Sequence, residues 1–101
     1  MDLLVVPDCP NEEPARALLR RALDESDLEH VQIRTLVVTD PFEANRINFL
    51  GSPSFSVNGV DLFADPGRHP GITCRVYPTA EGPAGLPGFA ELKNALQRSM
   101  P

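Results

Sequence analysis

The sequence predicts an α/β domain, a mixed β-sheet with helices on both faces in the order β-α-β-α-β-β-α. Three observations carry that prediction. Short apolar runs of strand length alternate with longer stretches of helical periodicity. The first two strand candidates flank a helix, so they pair in parallel through a right-handed crossover. A hairpin signal then adds antiparallel strands to the same sheet. With 101 residues, 42% hydrophobic and 23% charged, the chain fits a single domain spanning residues 1–101. A chain of this size buries roughly 60–65% of its unfolded surface, enough for one core.

Leu3-Leu4-Val5-Val6 is a continuous apolar run closed by Pro7-Asp8, which marks a strand buried on both faces. Residues 13–24 follow as a helix. Ala15, Leu18, Leu19, Ala22 and Leu23 share one stripe, and Arg16, Arg20, Arg21 and Asp24 take the outer face. Asn11 is placed to cap it, with Glu12 and Glu13 in the first turn, where the helix dipole favours acids. Pro14 is tolerated there because first-turn amides lack an intrahelical partner.

Val31, Ile33, Leu36, Val37 and Val38 form the second strand. Thr39-Asp40-Pro41 then opens a short helix to about Asn48, with Phe42, Ile47 and Phe49 as its apolar side. Gly51-Ser52-Pro53 breaks it. Ser54-Phe55-Ser56-Val57 and Val60-Asp61-Leu62-Phe63 flank Asn58-Gly59, a strong hairpin signal because both turn residues tolerate positive φ. A Pro/Gly-rich insertion occupies about 64–88. Ten of the 23 residues from Pro66 to Gly88 are proline or glycine, so only the island Ile72–Tyr77 can run extended there. The last helix spans about Phe89 to Arg98, with Phe89, Leu92, Ala95 and Leu96 inward.

Nine basic against fourteen acidic residues give a net charge of −5. No basic patch is available to replace counterions, which argues against nucleic acid or an anionic membrane as partner. The brief, acid-flanked apolar start does not have the pattern of a signal peptide, and no apolar run reaches spanning length. A cytoplasmic protein is the default expectation. The cysteines, Cys9 and Cys74, are too few for a disulfide framework or a four-sulfur zinc site. His30 and His69 do not stand at ligand spacing from either one, so neither a metal site nor a cofactor is expected.

Cys9-Pro10-Asn11-Glu12 lies between the first strand's carboxyl end and the first helix. A thiol there faces helix amides that stabilise a thiolate, while Asp8, Glu12 and Glu13 oppose the charge. The competing reading is an inert strand-end cysteine packed under a loop. At these positions the chain resembles the thioredoxin-like superfamily, in which a Cys-x-x-Cys turn caps the first helix and a cis-proline loop faces it. More narrowly, it resembles small bacterial thioredoxin-family proteins with a Cys-Pro-x-Cys turn, a Gly-Ser-Pro-Thr-like segment and a late Cys-Arg-x-Tyr segment. Gly51-Ser52-Pro53-Ser54 matches the second and Cys74-Arg75-Val76-Tyr77 the third. Some of these relatives carry labels linking them to organomercury chemistry.

The resemblance implies a thiol oxidoreductase with Cys9 as nucleophile and Cys74 brought near it by the insertion. It assigns Pro10, Ser52, Pro53 and Arg75 to substrate binding, with a cis Ser52-Pro53 bond exposing the Ser52 backbone to an extended peptide or thiol substrate such as glutathione. Position 12 departs from the pattern, because Glu12 stands where the family places its resolving cysteine. A mixed disulfide at Cys9 is then released by Cys74 or by an external thiol, or redox activity has been lost. Two other classes compete: a non-enzymatic binding module on the same fold, and a protein holding a soft metal such as mercury through Cys9 and Cys74. Tyr77 is expected to pack and His69 to lie in an exposed loop.

Overall fold

The apolar run near the amino terminus becomes an inner strand of the sheet in the computed structural model, which describes residues 1–99. The elements are β1 (Asp2–Val5), α1 (Glu12–Glu25), β2 (Arg34–Val37), α2 (Pro41–Arg46), β3 (Ser54–Val57), β4 (Val60–Asp61) and α3 (Phe89–Ser99). The four strands lie in the order β2-β1-β3-β4. β1 runs parallel to β2, with Leu3 opposite Thr35 and Val5 opposite Val37. It runs antiparallel to β3, with Leu4 opposite Ser54. The mixed α/β sheet expected from the element order is therefore present.

Alternation along β1 explains why it is apolar throughout. Leu3 and Val5 are buried on one face with Ala15, Leu19, Ala22 and Leu23 of α1, Leu92 and Leu96 of α3, and Phe55 of β3. Leu4 points the other way, into a smaller cluster with Val38, Ala44 of α2 and Phe49. Each of the buried Leu, Val and Phe side chains contributes roughly 1.5–3 kcal/mol by leaving water. Helices thus cover both faces, two on one side and one short helix on the other.

Several local expectations need correction. Asn11 occupies the position before α1, but its side chain makes no capping hydrogen bond. Asp40 does cap α2, accepting from the Glu43 amide at 2.8 Å. Phe42, expected on the apolar side of α2, is 80% exposed. Six residues make fewer than two helical turns, and Ala44 already fills the buried position.

The hairpin forms at the expected place, with Asn58 at φ 51° and Gly59 at φ 80°, the left-handed pair a two-residue type I′ turn requires. β4 is shorter than the alternation suggested. The Asp61 carboxylate accepts from the Phe63 amide at 2.7 Å, which turns the chain away just after Leu62 bonds Phe55. Among the described residues, no helix is long and apolar enough to cross a membrane.

Candidate functional site

Because β1 and β3 are antiparallel, the carboxyl end of one meets the start of the other. The Val6 amide donates to the Ser52 hydroxyl at 3.0 Å, and the turn leading to Cys9 begins at the next residue, Pro7. Asp8 enters that turn in the left-handed region at φ 57°. Cys9 is partly buried and packs against the larger core cluster, while Pro10 is exposed. The Cys9 carbonyl accepts from the Glu12 amide at 3.2 Å, and the Asn11 carbonyl accepts from Ala15 at 2.8 Å, which starts α1.

The acids beside the thiol have partners of their own. Arg16 donates to Glu12 at 2.7 Å and also to Glu13. The same guanidinium reaches the Thr35 hydroxyl of β2 at 3.1 Å. Glu12 is therefore held along α1 by a pair one turn on, a geometry that stabilises helix starts by a few tenths of a kcal/mol.

The Ser52-Pro53 bond is cis, as the resemblance implied. The Ser52 backbone, however, is not exposed, which corrects the expectation of a free edge. Its amide donates to the Thr73 carbonyl at 2.8 Å, and its carbonyl accepts from the Arg75 amide at 3.0 Å. Ser52 and Cys74 are thus partners in a parallel bridge. One bond further back, the Gly71 amide donates to the Phe49 carbonyl at 3.1 Å. Residues 71–75 run as a strap beside 49–52, so the island expected to be extended bends at Ile72 and Thr73 and makes only single bridges, at Cys74 and Tyr77.

Cys74 lies on that strap, exposed and free. The structure brings Cys74, Ser52 and Pro53 together directly and sets the Cys9 turn at the same end of the sheet. Among the described residues no cluster of three or more metal-ligating side chains forms.

Arg75 is not placed as a substrate-facing cation. It is 4% exposed and donates to Asp61 at 2.7 Å and to the Ser54 hydroxyl at 3.0 Å. Its other terminal nitrogen donates to the Phe63 carbonyl. The guanidinium also lies 4.8 Å from the centre of the Tyr77 ring. These partners tie the strap to the β3–β4 hairpin. Its closeness depends on Gly51, at φ 124°, where a Cβ would fall 2.9 Å from that of Arg75.

Sequence reasoning missed the partners that hold this arrangement. Asp61 stood out only as an acid within an alternating strand. Tyr77 was expected to pack, and it does so against Phe55 and Phe63, at 6.3 and 5.4 Å between ring centres. Its hydroxyl additionally donates to the Pro53 carbonyl. Burial pushes the phenol well above its ordinary range, so it remains a donor across neutral pH.

The Pro/Gly-rich insertion also reaches the first turn of α1. A Cβ on Gly85 would fall 2.5 Å from the Asn11 side-chain amide. The Asn11 side chain, which makes no capping bond, therefore lies against the insertion. No family model matches this chain, and neither the curated proteins nor the solved structures include a match to it.

Proposed function

We propose that this chain is a thioredoxin-like thiol oxidoreductase in which Cys9 is the nucleophile. The observation that carries the reading is the linkage from Val6 through Ser52 to Cys74, which gathers the three predicted signals at one end of the sheet. The Cys9 thiolate attacks one sulfur of a disulfide. A Cys9–sulfur bond forms, the substrate's sulfur–sulfur bond breaks, and the departing thiolate takes up a proton. Cys74, the chain's only other thiol, then attacks the Cys9 sulfur, closes an internal disulfide and releases the second substrate thiol. The reaction leaves the protein oxidised and the substrate reduced by two electrons.

Treatment with glutathione disulfide followed by peptide mapping tests this directly. The expected product is a Cys9 adduct that converts to a Cys9–Cys74 disulfide, and that accumulates unresolved in Cys74→Ser. A Cys9 that forms no adduct, with an alkylation rate rising only as an ordinary thiol ionises, overturns the reading. It would favour instead a binding module without turnover. The Glu12–Arg16 pair supports that second reading, because position 12 here serves the helix and supplies no resolving thiol.

A further inference from the structure

The sheet has an open rim at β2, which pairs with β1 alone. The Arg34 amide donates to the Met1 carbonyl at 2.9 Å, and the Val38 amide to the Val5 carbonyl at 2.8 Å. Even-numbered residues of this stretch therefore bond inward, and alternation turns the main-chain groups of Thr35, Val37 and Thr39 outward. Among the described residues, nothing bonds those outward groups. Such an edge is a template for another strand.

The side chains along this edge complement themselves. Val37 is 53% exposed and has Arg34 and Asp40 equally spaced on either side of it. Arg34 donates to Asp2 through Nε and Nη2, which leaves Nη1 without a partner among the described residues. Asp40 accepts the Glu43 amide on Oδ1, and its Oδ2 is likewise unpartnered. Arg16 bonds Glu12, Glu13 and the Thr35 hydroxyl, so the acids beside this edge carry their own counter-charge.

We infer that β2 pairs with β2 of a second copy, antiparallel about a two-fold axis at Val37, to form one sheet through both chains. Outward groups must meet outward groups, so the register sets odd-numbered residues opposite odd ones. Centred on Val37, it places Arg34 opposite Asp40 of the second copy. Centring it on Leu36 or Thr35 instead places Arg34 opposite Val38 or Leu36. Arg34 and Asp40 fall at a non-hydrogen-bonded position, where opposed side chains approach most closely. Leu36 faces Val38 of the second copy, which carries the smaller apolar cluster across the junction. Pro41 has no amide and ends the pairing. The edge lies on the far side of β1 from β3, so the inference stands independently of the oxidoreductase reading.

Sedimentation equilibrium of the full chain tests this. The expected species has twice the chain's 11.0 kDa and dissociates on dilution. Val37→Lys sets like charges on the axis, and Arg34→Asp or Asp40→Lys sets like charges across it. Each should weaken the dimer by about tenfold or more. An equimolar mixture of the two charge reversals should restore it, because every facing pair again joins an acid to a base. Circular dichroism checks that each variant is folded. Where Asp40→Lys, which also removes the α2 cap, does not fold, Val37→Lys and hydrogen exchange decide. In the unmodified chain the Val37 amide should gain protection with concentration, whereas the Leu36 amide should be protected throughout.

A chain that stays monomeric at millimolar concentration overturns the inference, and free exchange at Val37 there leaves the edge to a different protein. A dimer unchanged by Val37→Lys also overturns it, since another face then joins the copies. So does a dimer that both folded charge reversals break and their mixture fails to restore.

Discussion

The turn that carries Cys9 and the strap that carries Cys74 sit at the same end of the sheet, yet they are built in opposite ways. The turn is local. Its bonds join residues three or four apart, from Cys9 to Glu12 and from Asn11 to Ala15, and its capping side chain makes no cap. The strap is held by distant partners, with Arg75 bonded 14 positions away to Asp61 and Tyr77 bonded 24 positions away to Pro53. The partly buried thiol packs on the core from a turn whose own hydrogen bonds are all short-range. The main-chain edge stands where nearly every polar group is taken. This end of the sheet is thus divided between a turn held by short-range bonds and a strap held by distant ones.

Arg75→Ala should break the contrast most severely. Removing the cation leaves the Asp61 carboxylate, whose side chain is 11% exposed, with only the Phe63 amide to answer it, and breaking one side of a buried ion pair costs roughly 3–5 kcal/mol. Urea unfolding followed by circular dichroism would measure it. A loss below about 1 kcal/mol, the range of a surface pair, would mean that the strap is no more firmly held than the turn.

Tyr77→Phe removes one hydroxyl and leaves the Pro53 carbonyl unanswered, for a loss of about 1–2 kcal/mol. This variant also sharpens the pH dependence. An unfolded tyrosine ionises near pH ~10, whereas burial raises the native phenol above that value. The contribution is fully present below the unfolded pKa and is lost as pH rises from there toward the folded one. Unfolding free energies taken on both sides of pH ~10 should fall more steeply with pH in the parent than in Tyr77→Phe.

The two caps provide the smallest and cleanest comparison. Asp40→Ala should cost about 1 kcal/mol because its carboxylate holds the Glu43 amide. Asn11→Ala should cost less than about 0.5 kcal/mol, the usual limit for a substitution away from such a feature. Thermal melts of the two variants side by side check both. An Asn11→Ala loss equal to that of Asp40→Ala would show that the α1 start is capped in solution.

What was legible in the sequence followed the same division. The Asn58-Gly59 turn, the α1 stripe and the Asp40-Pro41 helix start are encoded by neighbours in the chain, and each formed where its residues placed it. The bonds from Arg75 to Asp61 and from Tyr77 to Pro53 were not legible, because nothing in local spacing pairs residues on separate segments. Phe42 misled for the related reason that periodicity over six residues does not say how much of a short helix touches the sheet. The cis bond at Pro53 was legible only through the resemblance, since proline alone leaves its isomer open. The Ser52 edge was expected to stand free and is instead paired on both sides of the residue. Its occupant lay 21 to 23 residues away, on the island Ile72–Tyr77, which the sequence marked as extended but left without a partner.

Gly85 is where these two halves touch. Any side chain at that position would press on the Asn11 amide, and Asn11 immediately precedes the helix that fixes the Cys9 turn. The segment carrying Gly85 is anchored at Ala84, whose paired bonds to Tyr77 measure 2.7 and 2.9 Å. Tyr77, Ala84, Gly85 and Asn11 thus form a run of neighbours that leads from the insertion to the start of α1 without passing through the sheet. A single methyl group there, in Gly85→Ala, would have to be accommodated by the Asn11 side-chain amide, at the junction of the insertion and the first turn of α1.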